Sequence, residues 1–580
     1  MRKIFSDFVR KNYLLAIIVL IAAILRFIAI KDLPPSLNWD EVSHGYNAFS
    51  VLKTGKDEWG KTFPLIFQAY GDFKLPVYIY ITAVSEFLFG LNAFAVRFPS
   101  VLAGIGMVFF TYLLVRELFE SRGITLKFTQ KNAESIALIS SLFVAVEPWS
   151  LFLSRGAFEA NLALFFFVSG MYSFLKSYKK PFYSILSTIS FGLSVWTYNS
   201  YRIFTPIMLL VLFVIYRKEI IKVFISNRKL TTYYLSLTAI LFIPMFWQLL
   251  HPIGQARYGR VAIIDDGAIA QIIEARNNSS LSPILTRFLY NRPTYFIQKF
   301  IENWASHFTC SFLFFKGGSN FQFSVPGQGL LYLINLPLFF IGFLHLIFKV
   351  LKEKNKEYLF VLAWLLIAPI PSSLTREAPH VLRAITILPV PMILSAIGIN
   401  SLFNIRYSQF NKLRYILIFG YLIVLFINLK VYLQRYFIDY RSLYSWSWQY
   451  GYKEVVDYAK QNYNKYDKVV VSKIYGEPHE FFLFYSKWNP SFYQNDPNLI
   501  RFNQSNWYWV DRFDKFYFVN DWDIPKEEWE SFKLESGTSF NCMGQKCLLV
   551  TNPENSPKTW SKLKTIDFLD GKSAFELYEN

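Results

Sequence analysis

Residues 37–74 read LNWDEVSHGYNAFSVLKTGKDEWGKTFPLIFQAYGDFK. An acidic pair, Asp40-Glu41, follows directly on the first hydrophobic run, and Lys74 closes the stretch before another apolar segment. Trp39, His44, Tyr46, Trp59 and Tyr70 fill it with aromatic character that a solvated linker lacks. Carboxylates at the mouth of a membrane span are costly to hold there, so the pair is the first candidate for chemistry.

Working outward, the composition is that of a polytopic membrane protein. Of 580 residues, 53% are hydrophobic and 19% aromatic, and only 17% are charged, below the roughly 25% usual in soluble domains. Mean hydropathy is +0.26. The net charge of +19 does not indicate nucleic acid, because its lysines and arginines gather in short loops between apolar runs, as the positive-inside rule requires. Glycine-rich phosphate loops are absent, which argues against a cytoplasmic nucleotide-sugar enzyme. Three cysteines make neither a disulfide framework nor a common zinc site. Cys310 stands alone, whereas Cys542 and Cys547 are close enough to pair in an oxidising compartment.

Arg2, Lys3, Arg10 and Lys11 place the N-terminus in the cytoplasm. The first run, 13–30, is long enough to span and has no small-residue cleavage site after it, so it reads as a span and not a signal peptide. Further runs at 96–115, 135–149, 161–175, 182–198, 203–216, 231–250, 330–350, 358–370, 384–403 and 415–432 give about eleven spans. They alternate so that every basic cluster, including Arg116, Arg122, Lys127 and Lys131, falls inside. The run at 76–89 is too short to span and carries Glu86, so it is expected to lie at the outer surface as a juxtamembrane helix. Asp40, Glu159, the loop 251–329 and everything after about residue 434 are then external. Arg26 is expected to snorkel to the outer interface and Glu147 to sit at an interface.

Spans stop after about residue 440. Residues 452–463 and 526–532 read as helices and 468–472, 516–519 and 547–551 as strands, which fits a small external α/β domain. The expected division is a transmembrane domain over 1–439 and an extracytoplasmic domain over 440–580.

The topology brings further charged residues to the side of Asp40. EPWSLFLSRGAFEAN, residues 147–161, contains Arg155 and Glu159. Glu159 stands where the returning helix begins, and the helix dipole stabilises its charge. Arg257 and Arg260 lie in the long external loop, and Arg376, His380 and Arg383 share the short loop 372–383.

The order of these features resembles the GT-C superfamily of membrane glycosyltransferases, in the branch of protein O-mannosyltransferases and lipid A aminoarabinose transferases. The resemblance covers about residues 1–400. It is carried by Asp40-Glu41, Lys74-Leu75-Pro76, RFPSVLAG from Arg97, SRGAFEAN from Ser154 and HVLRAITILPVP from His380. The family's usual lysine-proline-proline is Lys74-Leu75-Pro76 here, and Glu159 stands where an aspartate is usual.

The resemblance implies an inverting transfer from a polyprenyl-phosphate-linked hexose or pentose, on the outer face of the cell membrane, to a lipid, glycan or protein acceptor. It implies Asp40 as general base, with Glu41 and Glu159 as the other catalytic carboxylates. Lys74, Arg257, Arg260 and Arg383 become the donor phosphate ligands, and Arg155, Arg376 and His380 additional candidates. That branch works without a metal, so no cofactor is expected, although loop carboxylates are the ligand type a divalent cation takes. The other class to weigh is a transporter or flippase of lipid-linked sugars, which would place charges near the midplane of paired inverted halves. Here the acids gather in external loops and no internal repeat is visible.

Overall fold

Apolar runs become helices throughout the computed structural model, which describes residues 12–71, 73–120, 130–226, 228–403, 411–504 and 507–580. Two packed units result: one of residues up to 28, 100–154 and 158–433, the other of 29–99, 155–157 and 434–580.

Four helices among the described residues are long and apolar enough to cross a membrane: Ala93–Glu120, Thr231–Leu249, Leu333–Glu353 and Ile416–Leu443. The chain is an α-helical membrane protein with a C-terminal α/β domain, and the expected count of about eleven spans is not reached by length and composition. Five shorter apolar helices, Tyr13–Phe27, Pro76–Phe89, Asn132–Val146, Tyr183–Val195 and Val390–Leu402, account for other expected runs. The remaining three fail for local reasons. Glu159–Ser177 is diluted by Asn161, Ser169 and Ser173, Asn199–Ser226 leaves helical geometry at Tyr216, and the run at 358–370 breaks after Ile367. Arg2, Lys3, Arg10, Lys11, Arg122 and Lys127 lie outside the described residues.

Helices Leu336–Glu353 and Val390–Phe403 meet backbone to backbone. A Cβ on Gly342 would fall 1.8 Å from the Leu394 carbonyl oxygen, and one on Gly398 would fall 2.0 Å from that of Leu338. Small residues allow this approach where lipid supplies no hydrophobic drive.

Two expectations are corrected here. Arg26 does not snorkel: it is fully buried, and its guanidinium donates to the Val144 and Ala145 carbonyls, both at 3.0 Å. It thereby satisfies orphan carbonyls at the end of helix Gln130–Val146. Glu147 is likewise buried and not interfacial. Its carboxylate accepts the Tyr332 backbone N–H at 2.7 Å and the Asn335 side-chain amide.

In the second unit, helix Trp39–Thr54 ends at Gly55, in the left-handed region at φ 70°. The 14-residue helix Pro76–Phe89 is about 21 Å long at 1.5 Å per residue, short of the ~30 Å a span needs. Ala48, Val51, Phe67, Ile79 and Ala83 form an apolar core between these helices and the hairpin of Phe67–Gln68 with Phe73–Lys74.

A seven-stranded sheet runs in the order Ser561–Asp567, Ser573–Glu579, Cys547–Thr551, Lys468–Ser472, Phe516–Val519, Trp507–Phe513 and Ile500–Gln504. Lys468–Ser472 is the parallel centre, and its continuous apolar run suits burial on both faces. The helix Tyr452–Gln461 and the strands at 468–472, 516–519 and 547–551 match the sequence reading. Residues 526–532 are not helical: Glu530 folds back to accept the Lys526 and Glu527 N–H groups. Phe532 instead enters a short strand, stacked on Phe540 at 5.2 Å. Cys542 and Cys547 form a disulfide.

Candidate functional site

The acidic pair opens helix Trp39–Thr54, where two carboxylates in the first turn suit the dipole. Asn38 caps the helix. Its side-chain oxygen accepts the Glu41 N–H at 2.9 Å, and Glu41 accepts the Asn38 N–H at 3.2 Å in return. The two neighbours then part company. Asp40 has a side chain 41% exposed and accepts a bond from Lys74 Nζ at 2.5 Å. Glu41 is buried and pairs with Arg97 through two bonds of 2.9 Å, while also accepting the Ala157 N–H at 2.8 Å.

Arg97 directs its remaining N–H groups at the carbonyls of Ile30, Pro34 and Ser36, which ties the chain before the helix in place. Arg155 is fully buried. It donates to the Leu33 carbonyl at 3.1 Å and lies over the rings of Phe437 and Tyr436. Glu41, Arg97 and Arg155 therefore shape the entry to the Asp40 helix from within.

Beside Asp40 the rings of Trp39, Tyr70 and Trp507 form a cluster, with centroids 5.7–6.3 Å apart. Gly476, at φ 79°, closes against Trp39, because a Cβ there would fall 2.3 Å from the indole.

Behind this cluster is a buried acidic group invisible in the sequence. Glu58, Glu477 and Glu480 are almost solvent-free, with His479 among them. Burial pushes Glu477 up to about 8 and Glu58 to about 7, and raises Glu480 well above the usual carboxylate range. The Trp507 indole N–H donates to Glu477, which opposes that rise. Burial and the nearby cations Arg501 and Lys473 hold His479 well below its ordinary value. Glu58 is too far along the chain from the other three for any spacing rule to join them.

In the first unit, Arg257 and Arg383 line one cavity of about 110 Å³ together with Tyr198, Arg202, Tyr258 and Thr375. Tyr198 lies within electrostatic reach of Arg257, Arg383 and Glu159. Helix Pro252–Val261 carries Arg257 and Arg260 one turn apart. Arg383 is aimed by Thr375, at 2.9 Å, and by Glu377, at 3.0 Å. Burial first and Arg257 second weaken its hold on a proton, against the opposing pull of Tyr198 and Glu377. Arg376 instead faces Asp265, at 2.6 Å. His380 is kept neutral by burial and by Arg383 and Arg257. Its Nδ1 accepts the Arg383 backbone N–H at 3.3 Å, so Nε2 carries the proton. Arg202 was not singled out by sequence, being an isolated cation just before an apolar run. Among the described residues no three His, Cys, Asp or Glu side chains are grouped to hold a metal ion.

The chain thus combines a helical membrane body, an acid pair in the first turn of the helix that follows its first apolar helix, and a C-terminal α/β domain. Residues 16–252 match the family described as dolichyl-phosphate-mannose-protein mannosyltransferase (PMT). The structure is similar to that of ArnT from Cupriavidus metallidurans bound to undecaprenyl phosphate, at 11% identity and a TM-score of 0.51 over 97% of both chains. It is also similar to the Archaeoglobus fulgidus oligosaccharyltransferase in complex with Zn and sulfate, at 16% identity and a TM-score of 0.49. That match covers 82% of this chain and 61% of the other, so the chain spans about three fifths of that relative's length. No curated protein sequence matches. The family match covers less than half of the chain, and at 11% identity the likeness to ArnT is one of fold.

Proposed function

We propose that the protein moves a sugar from a polyprenyl-phosphate-linked donor to an acceptor hydroxyl, with inversion at the anomeric carbon. The acceptor oxygen forms the new bond to that carbon, and the bond to the lipid phosphate oxygen breaks with its electron pair going to the phosphate. The hydroxyl is a weak nucleophile, so its proton passes to Asp40 as general base. Lys74 places an ammonium beside that base for the departing phosphate. Glu41, saturated by Arg97, Asn38 and Ala157, acts by positioning Asp40. Trp39, Tyr70 and Trp507 suit the apolar face of a sugar ring.

The observation that carries the reading is the divergence of two adjacent carboxylates: Glu41 is locked inside, and Asp40 is half exposed against Lys74. In the first unit, Arg257, Arg260 and Arg383 serve as phosphate ligands, with His380 as a neutral donor beside them, and Glu159 is a further carboxylate in the electrostatics of that cavity. The finer topology of eleven spans, a cytoplasmic N-terminus and an extracytoplasmic tail from about residue 440 belongs to the same proposal.

The test is release of polyprenyl phosphate from a radiolabelled lipid-linked sugar by purified protein. Release with transfer of label supports the reading. Movement of intact labelled lipid between leaflets without release makes the protein a flippase and overturns it.

A further inference from the structure

Apart from the cavity that Arg257 and Arg383 share, the first unit contains a much larger one of about 990 Å³, built from segments 306–327 and 376–381. That is the upper end of the roughly 300–1,000 Å³ of pockets that enclose a drug-sized ligand, and more than one pyranose ring requires. Its construction is specific. Gly317, at φ 72°, and Gly318 press the turn so closely on its surroundings that a Cβ would fall 2.5 Å from the Gln328 oxygen and 2.3 Å from Val381. The wall at 380 is fixed from behind. His307 Nδ1–H donates to the Asn303 carbonyl at 2.7 Å, which leaves Nε2 to accept from Ser372 Oγ at 2.8 Å and from the His380 N–H at 3.4 Å. Burial holds His307 at about 4, so this neutral tautomer persists across the physiological range.

The lining mixes two kinds of surface. Phe321 and Phe323 present rings, with Phe323 tilted on the His380 imidazole at 5.1 Å between centroids. Asn320, Lys316 and Arg376 supply hydrogen-bond groups around them. A saccharide has this same division, with C–H faces that lie on aromatic rings and hydroxyls at the rim that need donors and acceptors. An extended peptide would require a strand edge or a row of side-chain pockets. The lining here comes from turns, including the π-helical turn Ser311–Phe315, and not from a strand.

We infer that this cavity binds the acceptor as a carbohydrate chain of at least two rings, with Phe321 and Phe323 as stacking platforms and Lys316 on the rim. The inference rests on the proposed transferase reading and narrows its acceptor from lipid, glycan or protein to a glycan.

The experiment is direct binding to the full chain in detergent, by saturation-transfer NMR and calorimetry. The probes are maltotetraose, tetragalacturonate and a Gly-Ser-Thr-Gly peptide. At least one saccharide should bind in preference to the peptide. Phe321→Ala and Lys316→Ala should each weaken that binding about tenfold, as loss of an anchor residue does. Both side chains are at least partly exposed, so neither substitution threatens the fold. Binding of undecaprenyl phosphate should be unchanged in both variants. If neither saccharide binds, or if binding is indifferent to both substitutions, the inference is overturned and the transferase proposal stands. Failure to bind undecaprenyl phosphate, with saccharide binding intact, would remove the transferase proposal instead.

Discussion

Arg97 and Glu41 meet as a two-pronged ion pair, Nε to Oε1 and Nη2 to Oε2 at 2.9 Å each, with both side chains shut away from solvent. Removing one partner strands a buried charge, which typically costs about 3–5 kcal/mol. Glu41→Gln should therefore lower thermal stability in detergent markedly, with the double variant Glu41→Gln, Arg97→Met recovering part of the loss. A melting temperature for Glu41→Gln equal to the parent's would argue that the pair is not structural.

Asp40→Asn should behave oppositely. Its side chain is 41% exposed, and although Lys74 is only 9% exposed, asparagine keeps a side-chain oxygen for Lys74 Nζ to donate to, so the fold should be retained. Loss of a general base should slow transfer by about 10²–10⁴-fold. Lys74→Ala should chiefly weaken donor binding. Near-normal turnover in Asp40→Asn, measured with the same labelled donor, would move the base elsewhere.

The buried acids give a pH signature. Glu477, at about 8, binds its proton in the folded state above the ordinary value of 4.5. Its contribution to stability is fully present below about 4.5 and is lost as pH rises toward 8. His479 works in the other sense: burial depresses it, so stability is lost as pH falls below its ordinary 6.5. Glu477→Gln should flatten the decline in melting temperature between pH 5 and about 8. An unchanged slope would mean that Glu477 is ionised in the folded protein.

Gly476 tests how closely the aromatic cluster must be held. Any side chain there meets the Trp39 ring and a backbone at φ 79°. Gly476→Val should displace Trp39, next to Asp40, and misplacements of ~1 Å can cost on the order of 10²-fold in rate. Gly537 has a similar φ, of 94°, with nothing near its Cβ position, so Gly537→Val serves as the control for backbone strain alone. Equal transfer by the two variants would dismiss a role for Trp39.

Orientation is open to labelling. With the proposed topology, Lys572→Cys should react with an impermeant maleimide on intact cells, and Lys352→Cys only after permeabilisation. Reversed accessibility would turn the scheme inside out.

Much of this architecture was legible because membrane helices and buried strands impose strong local periodicity, as the run at 468–472 illustrates. Asp40 and Lys74 were both singled out, although not as partners, since nothing local joins positions 34 apart. The capping box Asn38-x-x-Glu41 is visible in the sequence, but the partner that holds Glu41, Arg97, lies 56 residues on, beyond any local rule. Arg26 and Glu147 were misjudged by one assumption, that a charge near a span end seeks water. Backbone carbonyls and amides served them instead. Residues 526–532 had a helical pattern too short to resist one carboxylate turning back on its own backbone.

The glycine contact between helices Leu336–Glu353 and Val390–Phe403 works as a vernier. Where two main chains touch at Gly342 and Gly398, sliding either helix by one residue would drive a side chain, Ile341 or Ile397 among them, into a peptide oxygen. The permitted offset is therefore discrete. Arg383 stands seven residues before Val390, so the height at which its guanidinium is presented is calibrated by two residues that have no side chain to offer.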